Sequence, residues 1–269
     1  MKNKIYDCVT FFDENFQLDL RFNILYDYVD KFIICESKFD HRGVFKNLNF
    51  RIDQFSNFKD KIDYIILDHQ FPNISNPWET QAYQRDYMLK NLKYVNDDDY
   101  IFFSDPDEIP NPEILNHFDL KKKYGIFLQN CFNYKFNLFN PHESPWEGTR
   151  VARKKDLKSI DFMRQKVKSK NLNYNFLRID KEKSIEIFKN GGWHFNNIMK
   201  PNEISKKLRT FAHKEFSKNE FSSPKIIEEK ISKKTDLFNR GHKYEIVNID
   251  DTFPKFLQNN FDKYKDYIL

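Results

Sequence analysis

The sequence predicts an α/β fold with a mostly parallel sheet. Three observations point there. Short apolar runs recur, as in "KIYDCVTFF" (4–12), "KFIICES" (31–37), "DYIILDH" (63–69) and "DYIFFSD" (99–105). Segments of helical character lie between the first and second runs and between the third and fourth. The second run carries Glu36 at its end and the fourth runs into Asp105. Strands that alternate with helices form right-handed β-α-β crossovers, and these build parallel sheets.

The elements follow in order. In "ENFQLDLRFNILYDYV" (14–29) the apolar residues Leu18, Phe22, Leu25 and Val29 recur at helical spacing. "WETQAYQRDYMLKNLKYV" (78–95) places Ala82, Met88, Leu89 and Leu92 among its apolar positions and is expected to be the second helix. "YGIFLQNCFNYKFNLF" (124–139) reads as one or two strands, and "HESPWEGTRVARKKDL" (142–157) as a loop and then a strand. "SIEIFKNGGWHFNNI" (184–198) reads as a strand, a Gly-Gly turn and a second strand-like piece. "EISKKLRTFAHKEF" (203–216) and "SPKIIEEKISKKTDLF" (223–238) read as helices, the latter with Ser223 as N-cap and Pro224 at its first position. No repeat or low-complexity linker interrupts the chain. One domain over residues 1–269 is expected, with a nucleotide-sugar half to about residue 120 and an acceptor half after it.

Composition limits the function classes. Of 269 residues, 39% are hydrophobic and 17% aromatic, with 29 Phe and 14 Tyr, which excludes a disordered chain. The net charge of +5 is dispersed, and no Arg-rich arm or glycine-aromatic RNA motif occurs, so a nucleic-acid partner is not expected. The three cysteines, Cys8, Cys35 and Cys131, are far apart and form no C-x-x-C. A disulfide framework or zinc site is therefore not expected, and a reducing compartment fits. The N-terminus "MKNKIYDCVTFF" reads as a first strand rather than a signal peptide, and no window has the length of a membrane span. The expected location is the cytoplasm, with peripheral membrane association as an option for the aromatic, lysine-rich segment "FPKFLQNNFDKYKDYIL". Packing of that segment on the domain is the favoured alternative.

The stretch with the clearest chemistry is "YIFFSDPDEIP" (100–110). An apolar strand runs into Asp105, Asp107 and Glu108, with Pro106 stiffening the turn. In open α/β sheets ligands bind beyond the carboxyl ends of the strands. Carboxylates crowded there call for a compensating cation, and Mg²⁺ or Mn²⁺ bridges one or two carboxylates to substrate phosphates. The competing reading is a solvated acidic surface turn. Nothing matches the glycine and spaced oxygen ligands of an EF-hand.

In combination, "KIYDCVTFFDENFQLDLRFNILYDYVDKFIICES", "WETQAYQRDYMLKNL", "DDDYIFFSDPDEIP", "GGWHF" and "KLRTFAHKEF" resemble glycosyltransferase family 17, which contains enzymes that add bisecting GlcNAc. The resemblance runs from about residue 4 to about residue 240. It implies a GT-A type fold, a UDP-sugar donor (UDP-GlcNAc foremost), a glycan acceptor and inversion at the anomeric carbon. The membrane anchor and stem of the animal enzymes have no counterpart in this sequence.

On that resemblance Asp105 and Asp107 are the D-x-D pair that holds Mn²⁺ or Mg²⁺ and, through it, the donor diphosphate. Glu108 supports the metal-holding residues from behind, touches the sugar, or satisfies helix-start amides. Glu36, at the end of the second apolar run, either accepts from a ribose or uracil or is a solvated turn residue. Arg85 either meets the diphosphate or pairs with Asp105 or Glu36. In "GGWHF" the glycines admit a close backbone approach to a ligand. Trp193 there offers a face to a sugar or base, with a core aromatic as the alternative, and His194 is a further metal ligand or phosphate contact, with a structural histidine as the alternative. Arg209 and His213, one helical turn apart, together suit a phosphate. Trp146 and Arg150 lie in the expected acceptor loop. The general base that inversion requires is sought among Glu147, Glu143 and Glu215, with Glu147 preferred. The competing functions are the same fold acting on another UDP- or GDP-sugar, an inactive carbohydrate binder, and a metal-dependent phosphodiesterase or nuclease.

Overall fold

A computed structural model describes residues 2–210 and 218–269. The chain packs as two compact units, residues 1–129 with 147–192, and 130–146 with 193–269. The units interleave in sequence, so a single cut near residue 120 does not separate them.

The first unit is built on a sheet. β1 (Ile5–Phe11), β2 (Lys31–Ser37), β3 (Ile62–Leu67) and β4 (Tyr100–Ser104) are parallel and lie in the order β3-β2-β1-β4. Helix α1 (Asn15–Leu25) joins β1 to β2, and α2 (Pro77–Asn91) leads from β3 to β4. Both helices match their expected positions, and α2 opens on Asn76, whose side chain accepts from the Trp78 amide. The short strand β5 (Glu108–Pro110) and helix α3 (Pro112–Leu115) follow β4. Beyond β4 the sheet continues through β8 (Trp146–Arg153), antiparallel to β4, then β6 (Tyr124–Asn133) and the parallel edge strand β9 (Ile185–Phe188). Helix α4 (Ile160–Lys166) follows β8, with Ser159 as its N-cap.

Alternation along the strands sorts the core. Cys8, Ile33, Cys35, Ile101 and Phe103 face Met88 and Leu92 on one side of the sheet, joined by Ile160 and Met163 of α4. Phe32 faces the other side and meets Phe22 of α1 at 4.7 Å. Each such buried side chain contributes about 1.5–3 kcal/mol. The strand order also reverses here. From β1 the chain steps outward to β2 and β3, then crosses to place β4 on the other flank of β1. Such a switch point opens a crevice at the carboxyl ends of the two central strands, the usual ligand position in sheets of this kind.

In the second unit the end of β6 pairs with β10 (Gly192–Asn196), His194 standing opposite Cys131. β7 (Leu138–Phe139) pairs antiparallel to β6 and to β11 (Glu245–Ile246). Helices α5 (Pro201–Thr210), α6 (Asn219–Ser222) and α7 (Pro224–Ser232) follow, and Ile204, Leu208 and Ile227 pack with Tyr134, Leu138, Leu237 and Tyr244. Pro224 opens α7 as expected, but the Ser223 side chain makes no capping bond. The helix stops at Ser232, short of the expected 238, and Lys234 takes a left-handed φ of 56°. The C-terminal segment carries α8 (Lys255–Asn259) and α9 (Phe261–Tyr264), and buries Phe253, Leu257 and Tyr264 within this unit. No helix among the described residues is long and apolar enough to cross a membrane.

Candidate active site

The turn after β4 is closed by its own residues. The Glu108 amide donates to the Asp105 carbonyl at 3.0 Å, and the Asp105 amide donates to Glu108 Oε2 at 3.1 Å. Glu108 is fully buried at the head of β5, and of its expected roles its bonds fit that of a group supporting the metal turn. It ties the turn together instead of touching a sugar or starting a helix. Asp105 remains one-third exposed at the side chain, and Asp107 is nearly buried.

The crowded negative charge is met by guanidinium groups. Arg164 Nη2 of α4 lies 2.7 Å from Asp105 Oδ2 and 2.6 Å from Glu108 Oε1. Burial works against the charge on Arg164, but the two carboxylates outweigh it and raise its pKa. Arg85, almost wholly buried on α2, binds Asp161 at 2.9 Å and approaches Asp105 Oδ1 to 3.8 Å. Its guanidinium lies over the Phe103 ring, and its buried Nε has no hydrogen-bond partner among the described residues. Of the alternatives expected for Arg85, pairing with Asp105 is what the structure contains, and Asp161 is an added partner.

Beneath the turn lies a second buried pair. Arg21 on α1 grips Asp7 of β1 with Nε and Nη2, at 2.6 and 2.5 Å. Its Nη1 donates to the Glu108 carbonyl at 2.6 Å, and Nη2 also reaches Ser104 Oγ at 3.1 Å. Ser104 and Thr149 hydroxyls are 2.8 Å apart, which ties β4 to β8. The bidentate geometry fixes the guanidinium, and the guanidinium fixes the turn. Sequence reasoning missed Arg21, Asp7 and Arg164. A signal exists: Arg21 falls on the stripe of Leu18, Phe22 and Leu25, and Arg164 falls between Met163 and Val167. A cation on an apolar stripe announces a buried partner.

β8 carries Glu147 and Arg150, so Arg150 is not in a loop. Arg150 is fully buried and donates to the carbonyls of Glu147 (2.7 Å), Gly148 (2.5 Å) and Val167 (3.2 Å), and to Glu147 Oε2 (3.0 Å). It cannot touch an acceptor while so placed. Burial, then neighbouring Arg164, lowers its pKa to about 10. Glu147 Oε1 accepts from the amide and hydroxyl of Ser169. A carboxylate has about four acceptor positions, so Oε2 retains one beside Arg150. The Glu147 side chain is 27% exposed.

Glu36 is a correction. It is fully buried and accepts from the amides of Asn49 (2.8 Å) and Phe50 (3.0 Å), the Tyr64 hydroxyl (2.7 Å) and the Lys46 ammonium. Its capacity is spent on the chain, leaving none for a ribose or uracil. The glycines of "GGWHF" are also explained internally. A Cβ on Gly191 would sit 2.7 Å from Leu128 N, and one on Gly192, at φ +119°, would sit 2.1 Å from Ile109 O. The close approach is to the chain's own backbone.

In the second unit Trp193 is buried, donates to the Thr252 carbonyl at 3.0 Å and lies parallel to Phe195, as a core aromatic does. His194 is largely buried, 3.6 Å from Cys131 Sγ, with its ring 4.9 Å from that of half-buried Trp146. Glu143 binds Arg240 at 2.6 Å and accepts from Asn140 at 2.9 Å. Arg209 is exposed and donates to Asn219 at 3.2 Å. His213 and Glu215 lie outside the described residues. Among the described residues, no three His, Cys, Asp or Glu side chains are grouped to hold a metal ion. A Mg²⁺ or Mn²⁺ that keeps waters and phosphate oxygens needs only one or two carboxylates, and the hard oxygens of Asp105 and Asp107 fit that requirement.

The family model described as glycosyltransferase family 17 matches residues 1–265. The β-1,4-mannosyl-glycoprotein 4-β-N-acetylglucosaminyltransferase of Homo sapiens is 34% identical over 102 residues, which span 35% of this chain and 19% of that protein. The Mus musculus protein is 33% identical over the same shares. Among solved structures, glucosyl-3-phosphoglycerate synthase of Mycobacterium tuberculosis is 11% identical at a TM-score of 0.39, covering 95% of this chain and 92% of that one. The same enzyme with Mn²⁺, UDP and glucosyl-3-phosphoglycerate gives 0.38 at 12% identity, covering 71% of each chain. Structural similarity of that order assigns no ligand here. The family match, extending over nearly the whole length, establishes that the chain belongs to glycosyltransferase family 17.

Proposed function

We propose that this chain is a metal-dependent, inverting glycosyltransferase that moves GlcNAc from UDP-GlcNAc to a hydroxyl of a glycan acceptor. The observation that carries the reading is the position of the Asp105–Pro106–Asp107 turn. It follows β4 directly, beside β1, where the strand order reverses. The partial match to N-acetylglucosaminyltransferases supports the choice of sugar.

The residues divide the work. Asp107, with Asp105 beside it, would hold Mn²⁺ or Mg²⁺, which when bound offsets charge on the departing diphosphate. Arg164 and Arg85 steady the Asp105 carboxylate of that pair. Arg21 and Glu108 hold the turn that presents both. Inversion is one displacement: the acceptor oxygen bonds to the anomeric carbon as the bond to the diphosphate oxygen breaks. The acceptor proton goes to Glu147 Oε2, on a side chain that is partly exposed.

The test is UDP release from UDP-GlcNAc, UDP-glucose and GDP-mannose in the presence of Mn²⁺ and a panel of glycan acceptors. UDP-GlcNAc turnover that depends on acceptor, with Glu147→Gln slowed about 100-fold or more at unchanged UDP affinity, is the expected result. Turnover of none of the donors with any acceptor would remove the proposal.

A further inference from the structure

Lys168 lies just beyond α4, in a loop held from several sides. Arg150 Nε binds the Val167 carbonyl, Ser169 binds Glu147, and Asn171 Nδ2 binds the Lys166 carbonyl at 2.8 Å. The Asn171 amide also binds the Lys168 carbonyl at 2.9 Å. The backbone is thus fixed, while the ammonium has no hydrogen bond or ion pair among the described residues. Its charged neighbours are Arg150 and Arg164, and Glu147 and Glu108. Those two acids are already engaged, Glu147 by Arg150 and Ser169, and Glu108 by Arg164. Burial is the main cost to that ammonium, Arg150 and Arg164 add to it, and no hydrogen bond among the described residues offsets it.

We infer that Lys168 is a binding residue for a phosphate oxygen of the nucleoside diphosphate. The inference rests on the nucleotide-sugar reading and adds a protein cation to it. Arg164 and Arg150 are tied to the turn and to β8, so Lys168 is the cation of this group left to follow the ligand. Burial, then Arg150 and Arg164, brings its pKa down to about 8. The charge is therefore held below that pH and lost as pH rises through it. A bound phosphate would raise the pKa again.

The test is calorimetry with UDP and with uridine, in Mn²⁺, on wild type, Lys168→Met and Lys168→Arg. Methionine keeps the stem and should not lower the unfolding temperature, since no partner is lost. Lys168→Met should weaken UDP about tenfold or more and leave uridine unchanged, and Lys168→Arg should restore UDP. Wild-type UDP affinity should fall as pH rises through about 8, while that of Lys168→Arg stays level. Wild type that binds UDP with Lys168→Met unchanged overturns this inference alone. Wild type that binds no UDP overturns the nucleotide-sugar reading along with it.

Discussion

Replacing Arg164 by Met removes the cation that two carboxylates share. Its Nη2 sits 2.7 Å from Asp105 and 2.6 Å from Glu108. Its Nη1 donates to the Gly148 carbonyl at 2.9 Å, but that carbonyl keeps the Arg150 bond. The loss therefore falls on the acids. Breaking a buried pair by removing one partner costs about 3–5 kcal/mol. Asp105 deserves a discount, being one-third exposed and faced by Arg85, whereas Glu108 has a side chain only 1% exposed. About 3 kcal/mol is expected, most of it from Glu108, which lowers the melting temperature by roughly 6–10 °C. The assay is urea and thermal unfolding of wild type, Arg164→Met, Glu108→Gln and the double variant. The double variant should recover at least about 1 kcal/mol relative to the sum of the singles, because the stranded acid has been neutralised. Additive losses, or an Arg164→Met protein as stable as wild type, would refute the claim that Arg164 compensates the turn.

Other outcomes follow from the same geometry. Glu36→Gln should cost about 2–4 kcal/mol in urea unfolding, since an amide cannot accept from Lys46, Tyr64 and two backbone amides together, and UDP affinity should stay unchanged. Gly192→Ala should cost about 2 kcal/mol or more, because φ is +119° and the added Cβ would meet the Ile109 carbonyl. Arg21→Met should be more damaging than either, about 3–5 kcal/mol, by stranding the buried Asp7 carboxylate and releasing the Glu108 carbonyl. Soluble yield and circular dichroism would check it.

The sheet was legible because its signals are local. Four apolar runs became β1 to β4, and the strand–turn–strand expected around Gly191 and Gly192 became β9 and β10. The acidic turn was legible too, since Asp105 and Asp107 follow a strand whose direction sets their position. What the acids pair with was not. Arg21 reaches Glu108 across 87 positions and Arg164 reaches it across 56, and such pairings follow from topology rather than spacing. The same gap explains Glu36, whose donors come from residues 46 to 64. Trp193 and the two glycines share a composition with ligand sites and with tight β packing, and only distant partners separate the two: the backbone of Phe127, Leu128 and Ile109 for the glycines, and the Thr252 carbonyl for Trp193.

The measurement that bears most directly on the central claim is calorimetric titration of UDP with and without Mn²⁺, on wild type and Asp107→Ala. Binding that requires Mn²⁺ in wild type and is lost in Asp107→Ala is the predicted result. UDP binding that is indifferent to Mn²⁺ and to Asp107 would contradict the assignment of the turn as the metal–diphosphate site.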